Sequence, residues 1–376
     1  MATHGAGGPT ARRRAEEETG GHEQKAGGVI SLVELAYGAG WSIVKATPRS
    51  LAWPVFRAAA DHAARRNGPG TQRLRGNLRR VVGPDMSDAE LDDLVRAGLR
   101  SYARYWLDAF QLPRYSRDQL LTMFAVENRE LLAEAAESGE GCIIALSHSG
   151  NWDTAGAWVC ANGWRLATVA ERLKPEGLYQ KFVAYRETLG MEIIPTVGAE
   201  RPPLEILTER LGQGYVVPLL ADRDLSARGV EVRFFGGRTR MPAGPAMLAL
   251  RTGAPLLVAT LWYDDEYRAC ARVEGPLPIP EDGPLDVRVR VLTQEIADRL
   301  ARGIAEHPRD WHMLQRLWLP EEPTPDRTPA TSDAVDASPA SASGSGASGS
   351  DASRGDASGS DASPVGAADP VPQESG

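Results

Sequence analysis

From Gly141 onward, short apolar runs alternate with segments of helical periodicity, and this alternation constrains the fold more than any other feature of the chain. Cys142-Ile143-Ile144-Ala145-Leu146-Ser147 is an apolar run of strand length and reads as a buried strand. Further strands are expected at 164–171, 191–195, 215–221, 256–263 and 267–273. Helices are expected from about Trp152 and at 175–189, 203–212, 245–252 and 288–305. Strands alternating with helices predict an α/β fold: a central, mostly parallel sheet flanked by helices.

Residues 29–112 read differently, as a helical segment. Ile30, Val33, Tyr37, Trp41 and Val44 recur at helical spacing, as do Leu51, Val55, Ala58 and His62. Ser87 followed by Glu90 is a capping box. It opens a helix carrying Leu91, Leu94, Val95, Leu99, Tyr102 and Trp106 on one side. The folded unit is expected at 29–320, with 29–112 helical and 113–320 forming the α/β part. Residues 1–28 are Gly- and Glu-rich and read as a disordered leader. Residues 321–376 hold ten acids against two bases, which accounts for the whole net charge of −8. Built from Asp, Ala, Ser, Gly and Pro, they lack the apolar surface to offset ordering entropy and read as a disordered acidic tail.

Three widely spaced cysteines without a CxxC pair argue against a disulfide framework or zinc site and fit a reducing compartment. The chain has no apolar run of about 18 residues, the length that would span a bilayer. Its polar start lacks the basic-then-apolar pattern of a secretory signal. Between Lys45 and Arg80 stand nine bases against Asp61 alone, interleaved with Trp41, Trp53 and Phe56. Such a stretch can be a solvated helix face, a nucleic-acid surface or a membrane-facing segment. Its apolar residues outnumber what a phosphate-tracking arm needs, so anionic lipid is the expected partner and nucleic acid is not.

Chemistry concentrates at Ser147-His148-Ser149-Gly150-Asn151-Trp152-Asp153, between a strand and a helix. Catalytic groups of open α/β sheets gather at the carboxyl ends of strands. His148 would sit there, Gly150 would allow a sharp turn, and Asp153 would fall in the first helical turn, where the dipole favours a carboxylate. From there Asp153 could hold the imidazole in one tautomer. No Gly-x-Ser-x-Gly motif stands beside the pair, so a general-base role suits His148. His148 lacks a second His at helical spacing, and no metal site is expected.

These residues, together with several others in order, resemble the lipid A biosynthesis (late) acyltransferases, and within them the actinobacterial phosphatidylinositol mannoside acyltransferases. The other patches are Leu74-Arg75-Gly76-Asn77-Leu78, Ser101-Tyr102-Ala103-Arg104-Tyr105-Trp106, Ala221-Asp222-Arg223-Asp224-Leu225, Phe234-Phe235-Gly236, Met241-Pro242-Ala243-Gly244-Pro245-Ala246 and Trp311-His312-Met313-Leu314-Gln315. The resemblance runs from about Val29 to Leu319. It implies transfer of an acyl chain from acyl-CoA, a co-substrate rather than a bound cofactor, to a sugar hydroxyl of a glycolipid at the cytoplasmic face of the membrane. It implies no covalent acyl-enzyme and makes His148 the base. It adds Asp222 as a second acid near the imidazole, with Asp224 as the other candidate. It places Arg186 at the phosphates of CoA, with Arg172, Arg228 and Arg251 as further candidates. A Pro-Glu-Gly-Thr-Arg-like box, as in glycerol-phosphate acyltransferases, is absent, which favours a glycolipid acceptor. A non-catalytic membrane scaffold of the same fold is the alternative outside enzymology.

Overall fold

The computed structural model describes residues 40–172, 176–224, 226, 228–264 and 268–320. The leader, the acidic tail and the expected helical stripe at Ile30, Val33 and Tyr37 lie outside the described residues. After a helical stretch at 40–46 come α1 (Arg49–Arg66), α2 (Pro69–Val82), α3 (Asp88–Gln111), α4 (Arg117–Met123), β1 (Phe124–Glu127) and α5 (Arg129–Glu137). The alternating part follows as β2 (Cys142–Leu146), α6 (Trp152–Ala161), β3 (Leu166–Ala170), α7 (Glu176–Thr188), β4 (Met191–Pro195), α8 (Pro203–Gly212) and β5 (Val216–Leu220). A hairpin of β6 (Val230–Phe234) and β7 (Gly237–Met241) leads to α9 (Gly244–Thr252), β8 (Leu256–Tyr263), β9 (Ala269–Glu274) and α10 (Leu285–Glu306).

The fold is α/β, with a seven-stranded sheet in the order β1-β9-β8-β2-β5-β3-β4. Every neighbouring pair in it is parallel except β8 with β9. β2 lies at the centre and every residue of it is buried, as is every residue of β8. That explains their predominantly apolar character, since helices cover both faces. Ile143 and Ala145 face a cluster with Leu248 and Ala249 of α9 and Leu292 and Ile296 of α10. Cys142, Ile144 and Leu146 face the other way, toward Ala157, Trp158 and Val159 of α6.

The expected strands and helices of the alternating part form within a few residues of their expected bounds. The β6–β7 hairpin, β1, α4 and α5 are additions. The hairpin pairs antiparallel from Val230–Met241 to Phe234–Gly237. At the front of α3, Ser87 Oγ accepts from the Glu90 N–H, and the Glu90 carboxylate accepts from the Ser87 N–H at 2.9 Å, completing the capping box. The N-terminal bases do not form one outward face. Arg49 pairs with Asp108 inside the protein, Arg75 and Arg79 hold Asp88, and Arg80 stacks on Trp318. Trp41 also turns inward, against Phe110, Phe182 and Tyr185, while Trp53 and Phe56 are half-buried. What points outward is Ile43, Leu51 and Val55, with Lys45, Arg57 and Arg65 exposed beside them. Among the described residues no helix is long and apolar enough to cross a membrane.

Candidate active site

Two neighbouring parallel strands bring the central pair together. Leu146 at the end of β2 is in register with Leu220 at the end of β5. Two residues beyond each stand His148 and Asp222, at the carboxyl end of the sheet where ligands of such folds bind. Asp222 Oδ1 lies 2.6 Å from His148 Nδ1, and Asp222 Oδ2 accepts from the His148 backbone N–H at 2.9 Å. The indole of Trp311 donates to the same Oδ2 at 2.9 Å. Asp222 is fully buried, at 0% exposure. Burial alone would raise its pKa, but the adjacent imidazole and these hydrogen bonds outweigh it and hold the carboxyl below its usual range. An ionised carboxylate on Nδ1 fixes the tautomer and leaves Nε2 free for a proton transfer.

The turn that carries His148 is forced by its surroundings. Gly150 has φ of +55°, and a Cβ there would lie 2.8 Å from the Leu261 carbonyl carbon and the Trp262 nitrogen. Only glycine allows the chain to pass so close to β8. The Gly150 N–H donates to the Asp310 carbonyl, and the His312 N–H donates to the His148 carbonyl at 2.8 Å. The C-terminal segment thereby clamps the turn, and Asn77 of α2 anchors that segment by donating to the carbonyls of Met313 and Gln315. Ser147 and Ser149 flank the imidazole, but their hydroxyls bond to each other at 2.8 Å.

Asp153 sits in the first turn of α6, as expected, but its carboxylate is not on the imidazole. Arg186 Nε donates to Oδ1 at 2.7 Å, while Arg186 Nη2 and Tyr105 Oη donate to Oδ2 at 3.3 and 2.8 Å. The imidazole orientation expected from Asp153 belongs to Asp222. The same pair corrects the expectation for Arg186, whose guanidinium is committed to a carboxylate that is only 3% exposed. Burial would lower the Arg186 pKa, but the Asp153 charge more than offsets it.

The other expected arginines do not converge on the site. Arg172 is exposed and pairs with Glu176 at 2.8 Å. Arg228 is exposed in the loop after β5, its backbone N–H on the Ser226 hydroxyl. Arg251 is exposed at the end of α9, on the opposite face of the sheet. Asp224 accepts from the backbone of Ser226 and Gly229, so it shapes its own turn rather than the imidazole. Trp311, His312 and Arg223 stand at the site without having been singled out as functional. All three fell inside patches that carried the resemblance, which was the available signal.

His148 opens onto a cavity of about 270 Å³ between the sheet and α3, α5, α6 and α7. One arm runs over β2, β8, β9 and β1 and is walled by Ile144, Leu146, Ala259, Ala271, Val273 and Val126, with Leu132 and Val159 above. The other lies over β5 and β3 and includes Thr168, Glu171, Thr196 and Arg223. Cys142 is buried at the far end of β2, its thiol pushed up to about 12 by burial, which leaves it protonated and unreactive. Among the described residues no three His, Cys, Asp or Glu side chains stand together as a metal set.

An imidazole backed by a buried carboxylate, opening onto a largely apolar cavity, is suited to activating a hydroxyl beside a chain-bearing ester. The comparisons with known proteins agree with that chemistry. The phosphatidylinositol mannoside acyltransferase of Mycolicibacterium smegmatis is 48% identical over 288 residues, covering 77% of this chain and 92% of the relative. Its namesake from Mycobacterium tuberculosis is 46% identical over 291 residues, covering 77% and 89%. Residues 29–320 match the bacterial lipid A biosynthesis acyltransferase family across the whole of the expected folded unit, and with that match the chain belongs to this family and is an acyltransferase.

Proposed function

We propose that the protein transfers a fatty acyl chain from acyl-CoA to a mannose hydroxyl of a phosphatidylinositol mannoside, with His148 as general base. The observation that carries this reading is the His148–Asp222 pair at the head of the apolar cavity. In the proposed step, Nε2 takes the proton of the acceptor hydroxyl as its oxygen attacks the thioester carbonyl. The tetrahedral adduct then collapses, the carbon–sulfur bond breaks, and the imidazolium returns the proton to the departing CoA thiolate. Asp222 stabilises the imidazolium between these two events. The acyl chain lies in the arm over β8 and β9, whose walls are apolar, while the polar arm over β3 and β5 suits the hydrophilic part of a substrate.

The relatives' names support the glycolipid acceptor. The outward Ile43, Leu51 and Val55, with their neighbouring bases, suit peripheral docking on anionic lipid at the cytoplasmic face, where the lipid acceptor and a CoA thioester meet. The test is mass spectrometry after incubation with palmitoyl-CoA and mannosylated phosphatidylinositol. The glycolipid should gain one acyl chain, and His148→Ala should slow the transfer roughly a hundred- to ten-thousand-fold. An unchanged rate in His148→Ala would refute the base, and an unmodified glycolipid with wild-type protein would refute the substrate pair.

A further inference from the structure

The proposed reaction, on which this inference rests, gives no part to His312. His312 lines the same cavity as His148 and is only 4% exposed, between the rings of Tyr102, Tyr105 and Trp152. The hydrogen bonds around it fix its tautomer. Ser101 Oγ donates its single proton to Asp310 Oδ1 at 2.6 Å. The 2.9 Å contact between Ser101 Oγ and His312 Nε2 is therefore a donation from the ring. Burial, with a smaller contribution from nearby His148, pushes the imidazole pKa down to about 3, so the ring is neutral and its proton is on Nε2. Nδ1 is then a bare lone pair, buried and without a hydrogen-bond partner among the described residues. Native proteins seldom leave such an atom unsatisfied, and one beside an active centre points to a ligand donor.

We propose that His312 Nδ1 accepts a hydrogen bond from a second hydroxyl of the acceptor sugar and so turns the first hydroxyl onto His148 Nε2. Both imidazoles lie against Trp152, so a ring bearing neighbouring hydroxyls can address the two together. An acceptor with a single hydroxyl has no donor left for His312. The residue thus selects a polyhydroxy acceptor over a simple lipid alcohol, and it does so as a positioning group that takes no proton.

Two substitutions separate this role from a structural one. Glutamine reaches the Nε2 position and keeps the donation to Ser101, but puts nothing at Nδ1. Asparagine places an amide oxygen near Nδ1 and gives up Ser101. With palmitoyl-CoA and mannosylated phosphatidylinositol, His312→Gln should raise the KM for the acceptor about tenfold and leave that for the donor unchanged, as loss of one hydrogen bond implies. His312→Asn should recover part of that loss. Among acceptors with single mannose hydroxyls replaced by hydrogen, one should cost the wild type about tenfold and His312→Gln nothing further, the mark of two coupled partners. The reverse order, with His312→Gln near wild type and His312→Asn impaired, overturns the proposal. So does wild-type indifference to every deoxy acceptor, a result that stands even where a variant does not fold. No transfer at all by the wild type overturns both this proposal and the function beneath it.

Discussion

At the residue scale, the site separates two carboxylates that the sequence offers as near equals. His148 and Asp153 stand five residues apart, and their spacing invites a direct pairing. Spacing cannot say which way a first-turn side chain leaves its helix. The partner of the imidazole is instead Asp222, 74 residues away, brought in by the register of β2 with β5. Asp153, only 3% exposed, neutralises Arg186, whose side chain is largely buried against it on the cavity wall. Breaking a buried pair leaves a charge without compensation and costs about 3–5 kcal/mol. Asp153→Asn should therefore lower the thermal midpoint by several degrees and reduce activity with it, whereas His148→Ala should lose activity and keep its midpoint. Adding Arg186→Met to Asp153→Asn should restore part of the stability, since the stranded charge is gone. An Asp153→Asn protein as heat-stable as the wild type would show that Arg186 is solvated and the pair dispensable.

At the scale of elements, legibility follows burial. β8 and α8 match their expected bounds because the first is almost wholly apolar and the second is begun by proline, signals that survive any tertiary setting. The β6–β7 hairpin is hidden in the sequence although Val230–Phe234 and Gly237–Met241 do alternate in burial, since charged Glu231, Arg233, Arg238 and Arg240 dominate their composition. β1 is only four residues long, too short for a period to emerge. In α1 the periodicity is real, and the larger apolar residues on it point outward. Leu51 and Val55 are 66% and 67% exposed, while the small residues Ala52 and Ala60 face inward. An apolar edge outside a helix that already has an inner packing face marks an interaction surface more than a core. Leu51→Ser with Val55→Ser should leave the fold intact and weaken binding to anionic vesicles about thirtyfold or more, at roughly 1–2 kcal/mol of lost burial per side chain. Co-sedimentation with such vesicles measures it, and undiminished binding would remove this face from the docking surface.

For the whole molecule, the division into a helical region and a catalytic region dissolves at the site. α2 holds the C-terminal segment through Asn77, and α3 supplies Ser101 beneath His312 and Tyr105 beside Asp153. The C-terminal segment then closes on the His148 turn from β2. One of the helices expected to face a membrane, α3, is therefore also a wall of the active centre, through Tyr102, Tyr105 and Trp106. The length of acyl chain accepted should be set along the arm away from His148, where β9 contributes Ala271 two strands, or about 10 Å, away from β2. A phenyl ring at Ala271 would fill the space meant for the distal methylenes, and each one kept out forfeits about 0.8 kcal/mol of burial. Ala271→Phe should thus reduce kcat/KM for a palmitoyl donor at least about tenfold, while an octanoyl donor, whose chain ends before β9, should be used within about twofold of wild type. Equal losses for both donors would mean that the substitution disturbs the sheet rather than the cavity. No loss for either would send the acyl chain along the other arm, over β3 and β5, and leave the apolar one without an occupant.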